Sequence, residues 1–161
     1  MPESSEDQPP KQSPHRAPNR VVFRKRFQDV ARRPLQSFAE ILSRDVAGER
    51  DFTCLLTTAE EMAELNERFR GKPSATDVLS FPASGEPGYL GDIAISLPHA
   101  RAQAKEFGHG IDDEIRVLML HGLLHLIGLD HEADAGQMAR AESRWRKKLG
   151  LPNGLIARAR R

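Results

Sequence analysis

Cysteine is nearly absent: Cys54 is the only one in 161 residues. One thiol excludes an internal disulfide and fits the reducing cytosol. Its setting, Phe52-Thr53-Cys54-Leu55-Leu56, is apolar, so it reads as a small core residue rather than a nucleophile. Long hydrophobic runs are missing too. No apolar stretch approaches the roughly 20 residues needed to cross a bilayer. Met1 to Arg20 is polar and proline-rich and lacks the apolar core of a secretory signal. Together these absences predict a cytoplasmic protein with no membrane attachment. Net charge is nearly absent as well, 24 Lys and Arg against 23 Asp and Glu leaving +1. Overall charge therefore does not mark a polyanion binder, and no internal repeat points to a solenoid.

What is present is the composition of an ordinary globular chain, long enough for one domain with a sizeable core. Its charge is unevenly spread. Arg20, Arg24, Lys25, Arg26, Arg32 and Arg33 gather at one end of the fold. Arg144, Arg146, Lys147, Lys148, Arg158, Arg160 and Arg161 gather at the other. Each cluster is either a solvated face or a surface for RNA or another polyanion. Residues 1–20 carry no apolar period and read as a disordered tail. Residues 151–161 follow a Leu-Gly-Leu-Pro-Asn-Gly stop and read as a second, basic tail. The folded unit is then 21–150.

Apolar spacing predicts a helix over Pro34–Val46, with Leu35, Phe38, Ile41 and Leu42 on one face. A strand follows over Asp51–Leu56 and an amphipathic helix over Ala59–Phe69. A strand over Thr76–Phe81 is expected to stop at Pro82. After a Gly- and Pro-rich loop come a strand over Leu90–Ser96 and a helix over Pro98–Phe107. Asp112–Ile127 is a long helix, apolar around most of its girth and hence buried. Asp112, Asp113 and Glu114 put negative charge in its first turn, where the macrodipole favours it. A last helix is expected over about Ala133–Leu149. Alternating strands and helices predict an α/β or α+β fold, a small mixed sheet packed against helices. The apolar helix would cross that sheet as a zincin-like, metal-bearing central helix.

Three of the six histidines fall within His121-Gly122-Leu123-Leu124-His125-Leu126-Ile127-Gly128-Leu129-Asp130-His131. Positions i and i+4 share a helix face, with Cβ atoms about 5–6 Å apart, so His121 and His125 can meet one ion. Gly128 can take the left-handed conformation that ends a helix and turn the chain so that His131 closes the set. A lone histidine on an apolar helix is usually a satisfied core residue. Two at this spacing, with a glycine turn before a third, weigh against that reading, because burying unpartnered imidazoles is costly. A structural zinc site would be closed by four ligands and be rich in thiolate. Three imidazoles leave a position for water or substrate, and no carboxylate completes a facial triad for iron, so zinc, one per chain, is the expected metal. Asp130 stays open as a ligand or as an acceptor behind one. The spacing also matches the extended metalloprotease signature H-E-x-x-H-x-x-G-x-x-H. Gly122, however, stands where that signature places its glutamate base, which argues against peptide hydrolysis.

The eleven-residue histidine motif resembles the H-G-x-L-H-L-x-G-x-D-H signature of the YbeY family, described as zinc-dependent endoribonucleases that mature bacterial rRNA; Leu129 stands where the family often has an aromatic residue. Arg70-Gly71-Lys72, followed by Thr76-Asp77-Val78-Leu79-Ser80-Phe81-Pro82, resembles a second family stretch. Leu90-Gly91-Asp92-Ile93-Ala94-Ile95-Ser96 resembles a third. The three occur in the family's order and the likeness spans about residues 50–150. The resemblance implies His121, His125 and His131 as zinc ligands and Arg70 as a catalytic residue of the same cleft. Read by chemistry alone, Arg70 would only complement the dipole at the end of its helix. Beside a metal, its planar guanidinium suits the non-bridging oxygens of a phosphodiester. Lys72 joins it or is a solvated lysine, and Thr76, Asp77 and Ser80 either line the cleft or bond the strand.

The expectation is therefore a zinc-dependent endoribonuclease acting on single-stranded RNA in rRNA maturation and ribosome quality control. Its implied partners are rRNA and the small ribosomal subunit, with no DNA. The metal would serve as Lewis acid and source of the nucleophile. The general base is open among hydroxide, the RNA 2′-hydroxyl and Asp130. The alternative of another class is a ribosome-assembly binding factor whose metal only holds the fold, with a metallopeptidase as a more distant third.

Overall fold

The computed structural model describes residues 20–130 and 134–159, with the side chain of Ala159 left out. Four strands form one sheet: β1 (Val21–Phe23), β2 (Asp51–Thr57), β3 (Val78–Pro82) and β4 (Tyr89–Ser96). Their order is β1-β2-β4-β3. β1 and β4 both run parallel to β2, while β3 runs antiparallel to β4. The helices are α1 (Arg32–Ile41), α2 (Ala59–Arg70), α3 (Leu97–Phe107), α4 (Ile111–Leu126), α5 (Gln137–Leu149) and α6 (Leu155–Ala159). The fold is thus the α/β type expected, a small mixed sheet packed against helices.

Alternation along the strands decides what each face buries. Phe52, Cys54 and Leu56 of β2, with Ile93 and Ile95 of β4, join the large core beneath α1 and α4. The intervening Leu55 and Ala94, with Leu79 of β3, point the other way and meet Met62 and Leu65 of α2. α4 therefore lies on one face of the sheet and α2 on the other. From Ile115 to Leu124 all residues of α4 but Arg116 are buried, which is why this helix shows no polar face. Each fully buried Leu, Ile or Met contributes about 1.5–3 kcal/mol.

Local chemistry sets the ends of α2. Thr58 caps the start, its Oγ1 accepting from the Glu61 amide at 3.2 Å, and Glu61 in turn accepts from Thr57 Oγ1 at 2.7 Å. Gly71, left-handed with φ 71°, ends the helix just after Arg70.

Several boundaries differ from the sequence pattern. The first helix is α-helical only to Ile41 and finishes as a π-helical segment over Leu42–Val46. Pro82 closes β3 rather than stopping it earlier, since β3 is an edge strand and a proline there removes no needed ladder bond. β1 was not anticipated. It is three residues long, too short for a period, and its outer edge is occupied by Gln36. The Gln36 amide donates to the Val21 carbonyl at 3.0 Å and accepts from the Val21 amide at 3.1 Å. Of the stretch expected as a basic tail, 151–161, the described part to 159 is packed on the body through α6, with Leu151, Gly154 and Ile156 buried. Most of the polar segment 1–20 lies outside the described residues.

Candidate metal site

His121 and His125 stand one turn apart on α4, with ring centroids 4.9 Å apart and planes at 72°. His121 is buried and His125 is half-buried. The helix ends directly after them: Gly128 has φ 108°, a conformation L side chains rarely adopt, and its amide closes onto the His125 carbonyl at 3.0 Å. The glycine turn predicted between the second and third histidines is therefore present. His131 itself lies outside the described residues. Among those described, no three His, Cys, Asp or Glu side chains converge as a metal set.

The orientation of His121 comes from α5. Glu142, itself buried, lies with Oε2 2.7 Å from His121 Nδ1. A carboxylate only accepts, so Nδ1 carries the hydrogen and Nε2 is the ring nitrogen left to offer a lone pair. This is the carboxylate–histidine arrangement that fixes the tautomer and raises the basicity of a metal-bound imidazole. The donor chemistry here fits a zinc ion: two imidazoles on one helix face, one of them already locked by a carboxylate. His121, His125 and His131 would hold it. Glu142 was missed in the sequence. It sits four residues beyond buried Met138 and three before Trp145, so the signal was an acid on the apolar face of a basic helix.

Gly122 acquires a physical reason. A Cβ there would lie 2.7 Å from Ile93 Cγ2 and 3.2 Å from Ser80 Oγ, both on the sheet. Ser80 Oγ also donates to the Gly122 carbonyl at 2.9 Å. The position that carries glutamate in metalloproteases therefore faces the sheet in this chain, where a carboxylate would have no room.

The other residues singled out in the sequence take separate places. Arg70 is exposed at the end of α2, on the helix covering the opposite sheet face, and among the described residues its side chain makes no hydrogen bond or ion pair. No hydrogen bond or ring contact joins it to the histidines. Lys72 is exposed in the following loop, its amide bonded to the Asn66 carbonyl at 3.3 Å. Asp77 bonds the start of β3: Oδ1 accepts from the Val78 amide at 2.8 Å and from Thr76 Oγ1 at 3.3 Å, and Oδ2 from Gln103 at 3.1 Å. Thr76, Asp77 and Ser80 thus make structural bonds. Asp130 is exposed just past the helix end, its carbonyl accepting from the Asp134 amide at 3.1 Å. Cys54 is fully buried, and burial pushes its thiol pKa up.

A concavity of about 660 Å³ lies on the α2 side of the sheet, lined by Leu55, Leu65, Phe69 and Phe81 together with Arg68 and Asp92. Neither histidine lines it. The chemistry that distinguishes this chain is at the histidine pair, so we place the candidate site there rather than in that groove.

Residues 16–150 match the family model described as Endoribonuclease YbeY. An Endoribonuclease YbeY from Solibacter usitatus is 56% identical over 138 residues, covering 86% of this chain and 92% of that protein. One from Koribacter versatilis is 47% identical over 139 residues, covering 86% and 90%. Among solved structures, the solution structure of TM1509 from Thermotoga maritima superposes with a TM-score of 0.54 at 27% identity, covering 80% of this chain and 93% of that one. A family match over residues 16–150, with relatives this similar over most of their length, places the chain in the YbeY endoribonuclease family.

Proposed function

We propose that this protein is a zinc-dependent endoribonuclease that cleaves single-stranded RNA, acting on rRNA in the cytoplasm during maturation and quality control of the small ribosomal subunit. The observation that carries the reading is the His121–His125 pair on buried α4, with His121 Nδ1 2.7 Å from Glu142, in a chain of this family. No described helix is long and apolar enough to cross a membrane.

A bound zinc supplies Lewis acidity toward a phosphate oxygen and an activated water. The chain's own residues do the rest. His121 and His125 present imidazole nitrogens from one rigid helix face, and Glu142 holds the first of them in one tautomer. Arg70, exposed and without a protein partner among the described residues, is available to a phosphodiester, whose developing negative charge its planar fork can share. Gly122 offers no carboxylate and faces Ile93, which disfavours the peptidase alternative.

Metal analysis beside cleavage assays on single-stranded RNA and on casein tests the proposal. The expected outcome is about one zinc per chain, as the sequence supplies a single three-histidine set. RNA should be cut and casein left intact, and His121→Ala/His125→Ala should lose the metal and the RNA cleavage. Full zinc retention in the double variant would refute the site. Zinc removal that unfolds the protein would favour the assembly-factor alternative.

A further inference from the structure

Glu142 is held from both sides. One oxygen faces His121, while the other, Oε1, accepts the backbone amide of Ile156 at 3.0 Å. Ile156 belongs to α6, beyond the residues 16–150 that match the family model. The approach is close: a Cβ on Gly154 would lie 2.2 Å from Glu142 Oε1 and 2.5 Å from its carboxyl carbon, so that carboxylate would have to move. The segment is fastened again farther along. Arg158 forms a bidentate pair with Glu114, both bonds 2.8 Å, and its guanidinium stacks 4.3 Å from the Phe107 ring centroid. Glu114 is fully buried and also lies 2.6 Å from His109 Nε2. Glu114 and His121 are seven residues apart on α4, about two turns. The C-terminal segment therefore grips the metal-site helix at two places, directly through Arg158 and indirectly through Glu142.

We infer that residues 151–158 are a working part of the metal site: their backbone fixes Glu142, and Glu142 fixes the His121 ring so that Nε2 meets the ion. The inference rests on the zinc reading above. Without the Ile156 amide and the Gly154 contact, the Glu142 carboxylate would be free to rotate, and His121 would lose the partner that selects its tautomer. Glu142 and Gly154 are then positioning residues. They touch neither RNA nor metal and act on metal affinity through one histidine.

The test uses the full-length chain and zinc alone, with affinity measured by competition against a chromophoric chelator. The zinc-free protein is followed in parallel by ¹⁵N–¹H correlation of the histidine rings. Glu142→Ala should weaken zinc 10–100-fold, the usual consequence of removing a carboxylate behind a ligating histidine. Gly154→Ala, which drives a methyl group into that carboxylate from a segment outside the histidine helix, should weaken it in the same direction. Glu142→Gln, nearly isosteric and able to accept only one of the two bonds, should fall between wild type and Glu142→Ala while staying folded. In zinc-free wild type the His121 ring should carry its hydrogen on Nδ1, and Glu142→Ala should lose that preference. Folded Glu142→Gln and Gly154→Ala with wild-type zinc affinity and an unaltered His121 tautomer would overturn the inference while leaving zinc binding intact. A wild-type chain that binds no zinc would instead overturn the zinc reading and this inference with it.

Discussion

Arg70 cannot bond a metal, because its guanidinium stays protonated and has no lone pair to offer. Its value in the proposed reaction lies in charge and hydrogen bonding to the substrate, and its exposure leaves it accessible for that. Arg70→Ala should then reduce single-turnover cleavage at saturating RNA by roughly 10²–10³-fold, about 3–4 kcal/mol, the usual cost of one preorganised donor. Zinc content and melting temperature should stay near wild type. Arg70→Lys should recover only part of the rate, as an ammonium lacks the planar fork. A wild-type rate in Arg70→Ala would remove the residue from the mechanism. Cys54 makes the opposite kind of residue-scale claim. Its thiol is fully buried and its pKa is raised by desolvation, so the reactive thiolate is suppressed. A disulfide reagent at pH 8 should leave native Cys54 unmodified while reacting completely with the protein in denaturant. Rapid native labelling would place this thiol at the surface. The histidine pair and the apolar setting of Cys54 were legible because both depend on local spacing. Glu142 was not, because it meets His121 across 21 residues and from another helix.

At the scale of elements, the helices were the more legible part. α2, α3 and α4 carry caps, a glycine stop or sustained apolar spacing, and their bounds fall within two residues of the sequence pattern. β1 and α6 escaped because three and five residues are too few for any period to develop. Both are held by contacts from elsewhere, Gln36 for the strand and Glu142 and Glu114 for the helix region. Gly122 ties α4 to the sheet. In an open helix position, alanine would gain about 1 kcal/mol over glycine. Here the added methyl meets the stiff, fully buried Ile93 at 2.7 Å. Overpacking of that kind costs about 1–3 kcal/mol, so the clash outweighs the propensity. Gly122→Ala should therefore lower the melting temperature, measured by circular dichroism in zinc-free protein. A rise would mean that α4 stands farther from β4 than described.

At the scale of the molecule, the small net charge conceals a division of labour among the basic residues. Arg20 pairs with Asp51 at 2.7 Å and Arg24 with Glu61 at 3.2 Å, and Arg158 is committed to Glu114. These serve the fold. Lys25, Arg26 and Arg33 are exposed and make no ion pair among the described residues. If RNA uses this end of the protein, each phosphate contacted contributes about −0.7 to the log–log salt slope of binding. Replacing Lys25, Arg26 and Arg33 together by Gln should flatten the slope, whereas replacing Arg24, already paired with Glu61, should change it less. An unaltered slope in the triple variant would mark the cluster as a solvated face. The sequence pattern could locate these clusters but could not separate paired from unpaired cations, because the carboxylates that neutralise them come from distant elements.

The central claim is that cleavage depends on zinc held by the α4 histidines. It is tested most directly by single-turnover cleavage of a single-stranded RNA by chelator-stripped protein, titrated with zinc. Activity should be absent in the stripped protein, return with about one equivalent of zinc as expected for one three-histidine site, and fail to return in His121→Ala/His125→Ala. Full cleavage by stripped wild-type protein, or zinc-restored cleavage by the double variant, would contradict the account.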